Sequence, residues 1–276
     1  MNILVCVKQV PDTTEIRIDP EKNTLIRDGV PSILNPFDGY ALEAAARLKD
    51  KDPETRIVVV SMGPPQAEKA LRACLAAAAD RAYLVSGRAF GGSDTLATSY
   101  ILASAIRTLE EREGPFDAVF CGKQAIDGDT AQVGPEIAEQ LGRPQVTCAL
   151  EAFAEGGGLR VHKEVEEGVE VIDVAAPCLV TFTKPAWNLR YPTIRRKLAA
   201  DKAEIPVLGE DAFPAIDRTR IGLAGSPTQV KRTFVPPQKT GGVTIREEQA
   251  ADAAKKLLAL LDGRGVLAGG GESHGS

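Results

Sequence analysis

Two histidines, His162 and His274, in 276 residues leave little room for imidazole chemistry. His162 lies in an alternating, strand-like stretch and His274 in a glycine-rich tail. A Ser-His-Asp triad, a histidine base or a histidine metal site is therefore not expected. The five cysteines, Cys6, Cys74, Cys121, Cys148 and Cys178, include no CxxC spacing. Most sit in apolar runs, where a thiol serves as a small core side chain, so neither a disulfide framework nor a zinc site is expected. Positive charge is also short: 33 Lys and Arg against 38 Asp and Glu give a net charge of −5. A nucleic-acid binder needs a basic surface to neutralise phosphates, so nucleic acid is not an expected partner. There is no run of eighteen apolar residues, and MNILVCV opens on a strand without a basic leader. The expectation is a soluble, cytoplasmic protein of bacterial or archaeal type, meeting a membrane only through a partner. No GxGxxG follows the first apolar run and no GxxxxGK[ST] occurs, so the usual dinucleotide fingerprint and the P-loop are both missing.

What is present is a repeating α/β pattern. The chain is 43% hydrophobic, enough for one large core or a core with a smaller lobe. Short apolar runs at 3–7, 57–60, 82–85 and 118–121 are continuous, as in strands buried on both faces of a parallel sheet. Helical patterns fall between them at about 38–50, 65–79, 94–112 and 130–141. Pro64-Pro65 opens the second, Ser93-Asp94 caps the third, Thr130 is the expected cap of the fourth, and Gly142 ends it. The predicted fold is α/β, a doubly wound, mostly parallel, Rossmann-like sheet of the adenine-nucleotide-binding type. From about 149 the pattern alternates, with a glycine turn at 156–158 and an acidic-glycine turn at Glu167-Gly168. This predicts an antiparallel hairpin extension, followed by a strand at 178–182.

Residues 184–245 are rich in proline and glycine and carry little periodicity. So long a stretch predicts an extended arm that drapes over a partner, beyond an α/β domain of residues 1–183. A last helix is expected at about 245–262, with Ala253, Leu257, Leu260 and Leu261 on one face. It opens a C-terminal segment, 246–276, whose tail after Gly263 is expected to be disordered.

Open parallel sheets bind ligands beyond the carboxyl ends of their strands, where helix N-termini present free N–H groups. Four segments reach that edge. They carry Cys6, Val7 and Lys8; Met62; Gly91, Gly92, Ser93, Asp94 and Thr95; and the stretch GKQAIDGDTAQV, with Gly122, Gln124, Asp127, Gly128, Asp129, Thr130, Ala131, Gln132 and Val133. Each alone reads as an ordinary strand-to-helix turn. Four converging segments point to a nucleotide site. Asp127 and Asp129 would repel phosphate but can accept hydrogen bonds from an adenine amine or ribose hydroxyls, while N–H groups after Thr130 take the phosphate. The glycines of AFGGSDT at 89–95 suit a pyrophosphate, which FAD has and AMP lacks. Asp94 opposes that unless it caps the helix or faces a flavin or NADH ribose.

These residues also carry a resemblance. CVKQVPDT at the start, NPFDGYALEAA at 35–45, VVSMGPPQAE at 59–68 and above all CGKQAIDGDTAQVGP at 121–135 resemble the β subunit of electron transfer flavoprotein. VHKEVEEGVEVIDVAAPCLVT at 161–181 and AGSPTQVKRTFVPP at 224–237 fit as well. The resemblance covers residues 1 to about 245. It implies a heterodimer with an α subunit, held by a late extended arm, and it adds Asn35 and Asp38 to the cofactor-binding set. In the common branch the β subunit holds AMP and the redox FAD sits in the α subunit. That branch has Asn and Thr around the shared glutamine, where this chain has Ala131, Gln132 and Val133. The wording here is closer to the branch with nitrogen-fixation-associated and flavin-bifurcating members, in which a second FAD reached by NADH takes the place of AMP.

The resemblance also makes Arg190, Tyr191, Ile194, Arg195 and Arg196 a recognition loop for an acyl-CoA dehydrogenase-like or quinone-reducing flavoprotein. One exposed aliphatic ringed by basic residues suits transient docking, although a solvated basic loop would look the same. The expected function is electron transfer, by bifurcation in one version, and not catalysis by a standalone enzyme. The competing readings are a structural subunit that holds AMP and, more remotely, an adenine-nucleotide-dependent hydrolase or ligase.

Overall fold

The computed structural model describes residues 1–12, 18–19, 24–25, 31–232 and 241–267. Strand β1 (Asn2–Cys6) is followed by the short β2 (Gln9–Pro11), β3 (Ile18–Asp19), β4 (Thr24–Leu25) and β5 (Ser32–Leu34). Helix α1 (Pro36–Lys51) then leads to β6 (Arg56–Met62), α2 (Glu68–Ala77), β7 (Arg81–Val85), α3 (Thr95–Glu113), β8 (Ala118–Gly122) and α4 (Val133–Leu141). The later elements are β9 (Gln145–Glu155), β10 (Gly158–Val165), β11 (Gly168–Ala175), β12 (Cys178–Phe182), α5 (Ile194–Lys202), β13 (Val207–Leu208) and α6 (Ala250–Gly263).

Nine strands form one sheet in the order β11-β10-β9-β12-β8-β1-β6-β7-β13. The pairings from β9 through β13 are parallel, and β10 pairs antiparallel with both β9 and β11. The predicted parallel sheet with an antiparallel extension is therefore observed. Its centre is fully buried: Ile3, Leu4 and Val5 of β1 and Val58 and Val59 of β6 have no exposed surface. Side chains alternate between two cores. Ile3 and Val5 join Leu42 and Leu71 of α1 and α2, while Leu4 joins Ile101, Ile106 and Ile137 of α3 and α4. Helices on both faces explain why these strands read as continuous apolar runs and not as alternating ones.

The helix signals were mostly legible. Pro36 sits in the first turn of α1, where the missing N–H costs nothing, with Asp38 in that turn and Lys49 and Lys51 in the last. Asp94 caps α3 by accepting from Ala97 N, and Gly142 ends α4 in the left-handed region. Thr130 is not the cap of α4. Asp129 and Ala131 both have positive φ, 56° and 54°, so the chain turns twice before the helix starts at Val133.

The short strands β2 to β5 were not expected, and two strands of the large sheet were missed. β9 extends the sheet from Gln145, and the two-residue β13 is defined by its parallel pairing with β7. The expectation of an aperiodic stretch from 184 also gives way over 194–226. Helix α5 packs against α2, β13 joins the sheet, and Ala200, Leu208, Phe213 and Ile221 are buried. The chain divides into two compact units, Met1–Thr233 and Phe234–Ser276. In the second unit α6 forms where a helix was expected and buries none of its residues, with Leu257 and Leu258 exposed. The prolines at 236 and 237 and the tail beyond 267 lie outside the described residues. No helix among the described residues is long and apolar enough to cross a membrane.

Candidate nucleotide site at the carboxyl edge

The start of α1 ties the ends of β1 and β8 together. Asp38 is 6% exposed, and its carboxylate accepts from Lys8 N at 2.7 Å and Gly122 N at 3.1 Å. Burial pushes this carboxyl up to about 7, against the hydrogen bonds from Asn35, Lys8 and Gly122 that favour its charged form. Gly122 has to be glycine. A Cβ there would collide with Asp38 Oδ1 and would sit 2.7 Å from Phe37 Cβ. Asn35 is buried and holds the following loop at two points, donating to Gln124 O at 2.8 Å and accepting from Ile126 N at 3.2 Å.

Beyond this frame the loop 126–130 is exposed. Its two acids are both engaged: Asp127 pairs with Lys8 Nζ at 2.7 Å, and Asp129 accepts from the Gln124 amide. An exposed pair of this kind adds little stability, about 0–1 kcal/mol. Its effect here is to offset a negative charge beside the start of a helix. That helix, α4, has Gln132 at its N-cap position and no side-chain cap. Its second residue, Gly134, sits so close to β12 that a Cβ would come within 2.6 Å of Thr181 Cγ2. The backbone at the start of α4 is thus seated on the sheet, and its first turn, which includes Glu136, has no side-chain cap.

The start of α3 is built the opposite way. The Asp94 carboxylate accepts from Ala97 N at 3.1 Å, and from Thr228 N and Oγ1 at 2.9 and 2.8 Å. Burial raises its pKa, but hydrogen bonds from Ala97 and Thr228 outweigh this and hold it below the usual carboxylate value. Ser93 Oγ donates to Phe90 O and accepts from Gly222 N. Leu223 lies over Gly92, which has φ 76°, and Gly91 adjoins it. The Asp94 carboxylate thus takes Ala97 N, while Gly91 N and Asp94 N donate to Arg88 O and Ser226 Oγ, so much of the donor set at the start of α3 is already engaged by the chain itself.

The two helix starts meet through Thr95, whose Oγ1 lies 3.1 Å from Gln132 Oε1 and 3.2 Å from Glu136 Oε1. Glu136 has a raised pKa, from burial first, countered by hydrogen bonds with Thr95 and Ser99. Its Oε2 is buried without a partner.

The edge therefore brings Lys8, Asn35, Asp38, Gly122, Gln124, Asp127 and Asp129 together, and links Thr95 to Gln132. Gly128 and Thr130 lie in the exposed loop, and Ala131 and Val133 are half-buried behind it. Cys6 and Val7 are buried under the edge, and Met62 ends β6 beside Val85. Sequence reasoning missed Glu136, Ser226 and Thr228. The last two stand more than 130 residues from Asp94, and although both fall in the motif at 224–237, nothing in that motif ties them to Asp94.

Of the docking residues, Tyr191 is 96% and Ile194 81% exposed, and Arg195 also faces solvent. Arg190 and Arg196 turn inward. Arg190 pairs with Glu43 and Asp50, which raise its pKa, and Arg196 donates to the carbonyls of Leu75, Ala76 and Ala79 at the end of α2. Ile194 opens α5, capped by Thr193, where a loop was expected.

Comparison with known proteins agrees with this architecture. The family model described as electron transfer flavoprotein domain matches residues 22–212. The chain is 53% identical over 256 residues to the electron transfer flavoprotein subunit beta of Megasphaera elsdenii, covering 92% of this chain and 94% of that one. It is 46% identical over 267 residues to the caffeyl-CoA reductase-Etf complex subunit CarD of Acetobacterium woodii, covering 97% and 100%. Protein FixA of Azorhizobium caulinodans is 43% identical over 264 residues, covering 95% and 94%. The chain belongs to the electron transfer flavoprotein family, among its β subunits.

Proposed function

We propose that this β subunit binds FAD at the start of α4 and, with an α subunit, passes electrons between NADH or a dehydrogenase and an acceptor by flavin-based bifurcation. The observation that carries the reading is the pair of conditions at the loop 122–133. The first turn of α4 has no side-chain cap, and the acids beside it are engaged by Lys8 and Gln124. Free N–H groups and an offset negative charge fit the phosphate end of an adenine nucleotide. Asp127 and Gln132 would hold polar groups of the adenosine, and Thr130 would donate to phosphate. Asn35 and Asp38 would fix the frame from which the loop springs. When bound, the flavin supplies the redox chemistry, and the protein sets its geometry and potential.

FAD is favoured over AMP by Ala131 and Val133, which flank Gln132 with apolar side chains, and by the likeness to a subunit of a reductase-Etf complex. The start of α3 adds no support: Asp94 caps the helix, which lifts the objection to its charge, but it takes Ala97 N for itself and its own N–H goes to Ser226. The exposed Tyr191, Ile194 and Arg195 form the docking patch for a partner flavoprotein, with an aliphatic anchor and a cation free to steer encounter. The partner-embracing arm is assigned to the second unit, whose α6 presents Leu257 and Leu258 to solvent.

Denaturing the purified heterodimer and counting released nucleotide tests the reading. Two FAD per heterodimer, with reduction by NADH, is the expected result. One FAD and one AMP without NADH reduction would make the chain an AMP-holding subunit of an ordinary electron carrier.

A further inference from the structure

The segment 222–228 is bound to the start of α3 more tightly than a surface crossing requires. Asp94 N donates to Ser226 Oγ at 2.8 Å, and that hydroxyl donates to Gly222 O at 2.7 Å. Ser226 is 7% exposed. Thr228 reaches the Asp94 carboxylate with both its N–H and its hydroxyl, and Gly222 N donates to Ser93 Oγ at 3.0 Å. A helix cap needs only the bond between Asp94 and Ala97 N. The remaining bonds fasten the chain shortly before it leaves the first unit at Thr233.

We propose that Ser226 and Thr228 are positioning residues for the nucleotide site. They hold the first turn of α3 so that Thr95 steadies Gln132 and Glu136 at the start of α4. Thr95 follows Asp94 directly, so a shift of the cap moves its hydroxyl. That hydroxyl has one proton for two acceptors, Gln132 Oε1 and Glu136 Oε1. Glu136 depends on this hydroxyl all the more, since its Oε2 is buried without a partner. Loosening Thr228 therefore unsettles both acceptors at the start of α4, Gln132 and Glu136, across the gap between the two helix starts. The proposal rests on the nucleotide reading above and adds a second tether to it, from residues whose side-chain hydrogen bonds go to the start of α3 and to Gly222, and not to the loop 122–133.

The test is a titration of the nucleotide-stripped heterodimer with FAD and, separately, with AMP, followed by protein and flavin fluorescence. Thr228→Val keeps the volume and removes the hydroxyl, and Thr228→Ser restores it. The expected result is binding weakened about five- to tenfold in Thr228→Val, the range of coupling between networked residues, and recovered in Thr228→Ser. Unchanged affinity in Thr228→Val, or a loss that Thr228→Ser does not recover, overturns the proposal. If Thr228→Val fails to assemble, Ser226→Ala is read in its place by the same two outcomes: weakened binding supports the proposal and unchanged binding overturns it. Thr130→Ala in the same titration separates the two readings. If it weakens binding while Thr228→Val does not, only the fastening falls; if it has no effect, the nucleotide assignment at α4 falls.

Discussion

The starts of α3 and α4 stand side by side on the same sheet edge and solve the same physical problem in opposite ways. Every helix begins with N–H groups that lack an intrahelical partner. At α3 the chain satisfies them itself, with Asp94 as cap and Thr228 bound to the same carboxylate. At α4 it supplies no side-chain cap, holds two residues at positive φ just upstream, and engages the neighbouring acids with Lys8 and Gln124. A capped start is a structural joint. An uncapped start reached through a strained turn is where a ligand can complete the structure, since strain of this kind persists only where something else determines the fold.

The largest effect that would test this contrast is expected below the α4 side. Gly122→Ala places a methyl group on Asp38 and on the backbone of Phe37, both held by the frame. Overpacking there should cost about 3 kcal/mol in urea unfolding and abolish nucleotide retention. A variant as stable as the parent would show the frame to be looser than described.

Asp38 should give the next largest signal, read through pH. Its folded-state value of about 7 stands above the ordinary 3.8, so the folded protein prefers the protonated carboxyl. The sign follows from linkage. The preference is intact below the unfolded value, is lost as pH rises from about 4 to about 7, and stays lost above that. Relative to Asp38→Asn, the parent should therefore lose stability between those limits. Parallel stability curves for the two proteins would remove Asp38 as the cause.

Removing the caps should then separate the two helices. Asp94→Ala should cost about 1–2 kcal/mol of stability, whereas Gln132→Ala should change stability by less than about 0.5 kcal/mol because Gln132 caps nothing. Equal losses in thermal unfolding would erase the contrast. The smallest effect belongs to Ala131→Gly. Relief of its left-handed backbone should raise stability by up to about 1 kcal/mol while weakening nucleotide retention, since the turn is then no longer held in one conformation.

The same contrast shows what the sequence could and could not tell. Asp94 was readable as a cap because the signal is local: a small acid followed directly by a helical pattern. Thr130 looked equally good and is not a cap. The left-handed backbone of Asp129 and Ala131 moves the start of α4 to Val133, and side-chain identity does not announce a positive φ outside glycine. The continuous Val and Ile runs gave the parallel strands because burial on both faces leaves a one-dimensional trace. Strand β13 has two residues and exists only through β7, and Thr228 acts only through Asp94. The resemblance placed Arg190 and Arg196 in the basic ring of a docking loop, yet partners far along the chain hold both. Apart from that local turn, what escaped the sequence was a pairing made across the fold.

Hydrogen–deuterium exchange on the heterodimer, with and without its nucleotides, addresses the two helix starts in one measurement. Nucleotide should slow exchange of the amides at 126–136 and leave those at 94–97 nearly unchanged, because Asp94, Ser226 and Thr228 already secure the start of α3. Slowed exchange at 94–97 with none at 126–136 would place the phosphate on the capped helix and contradict the assignment.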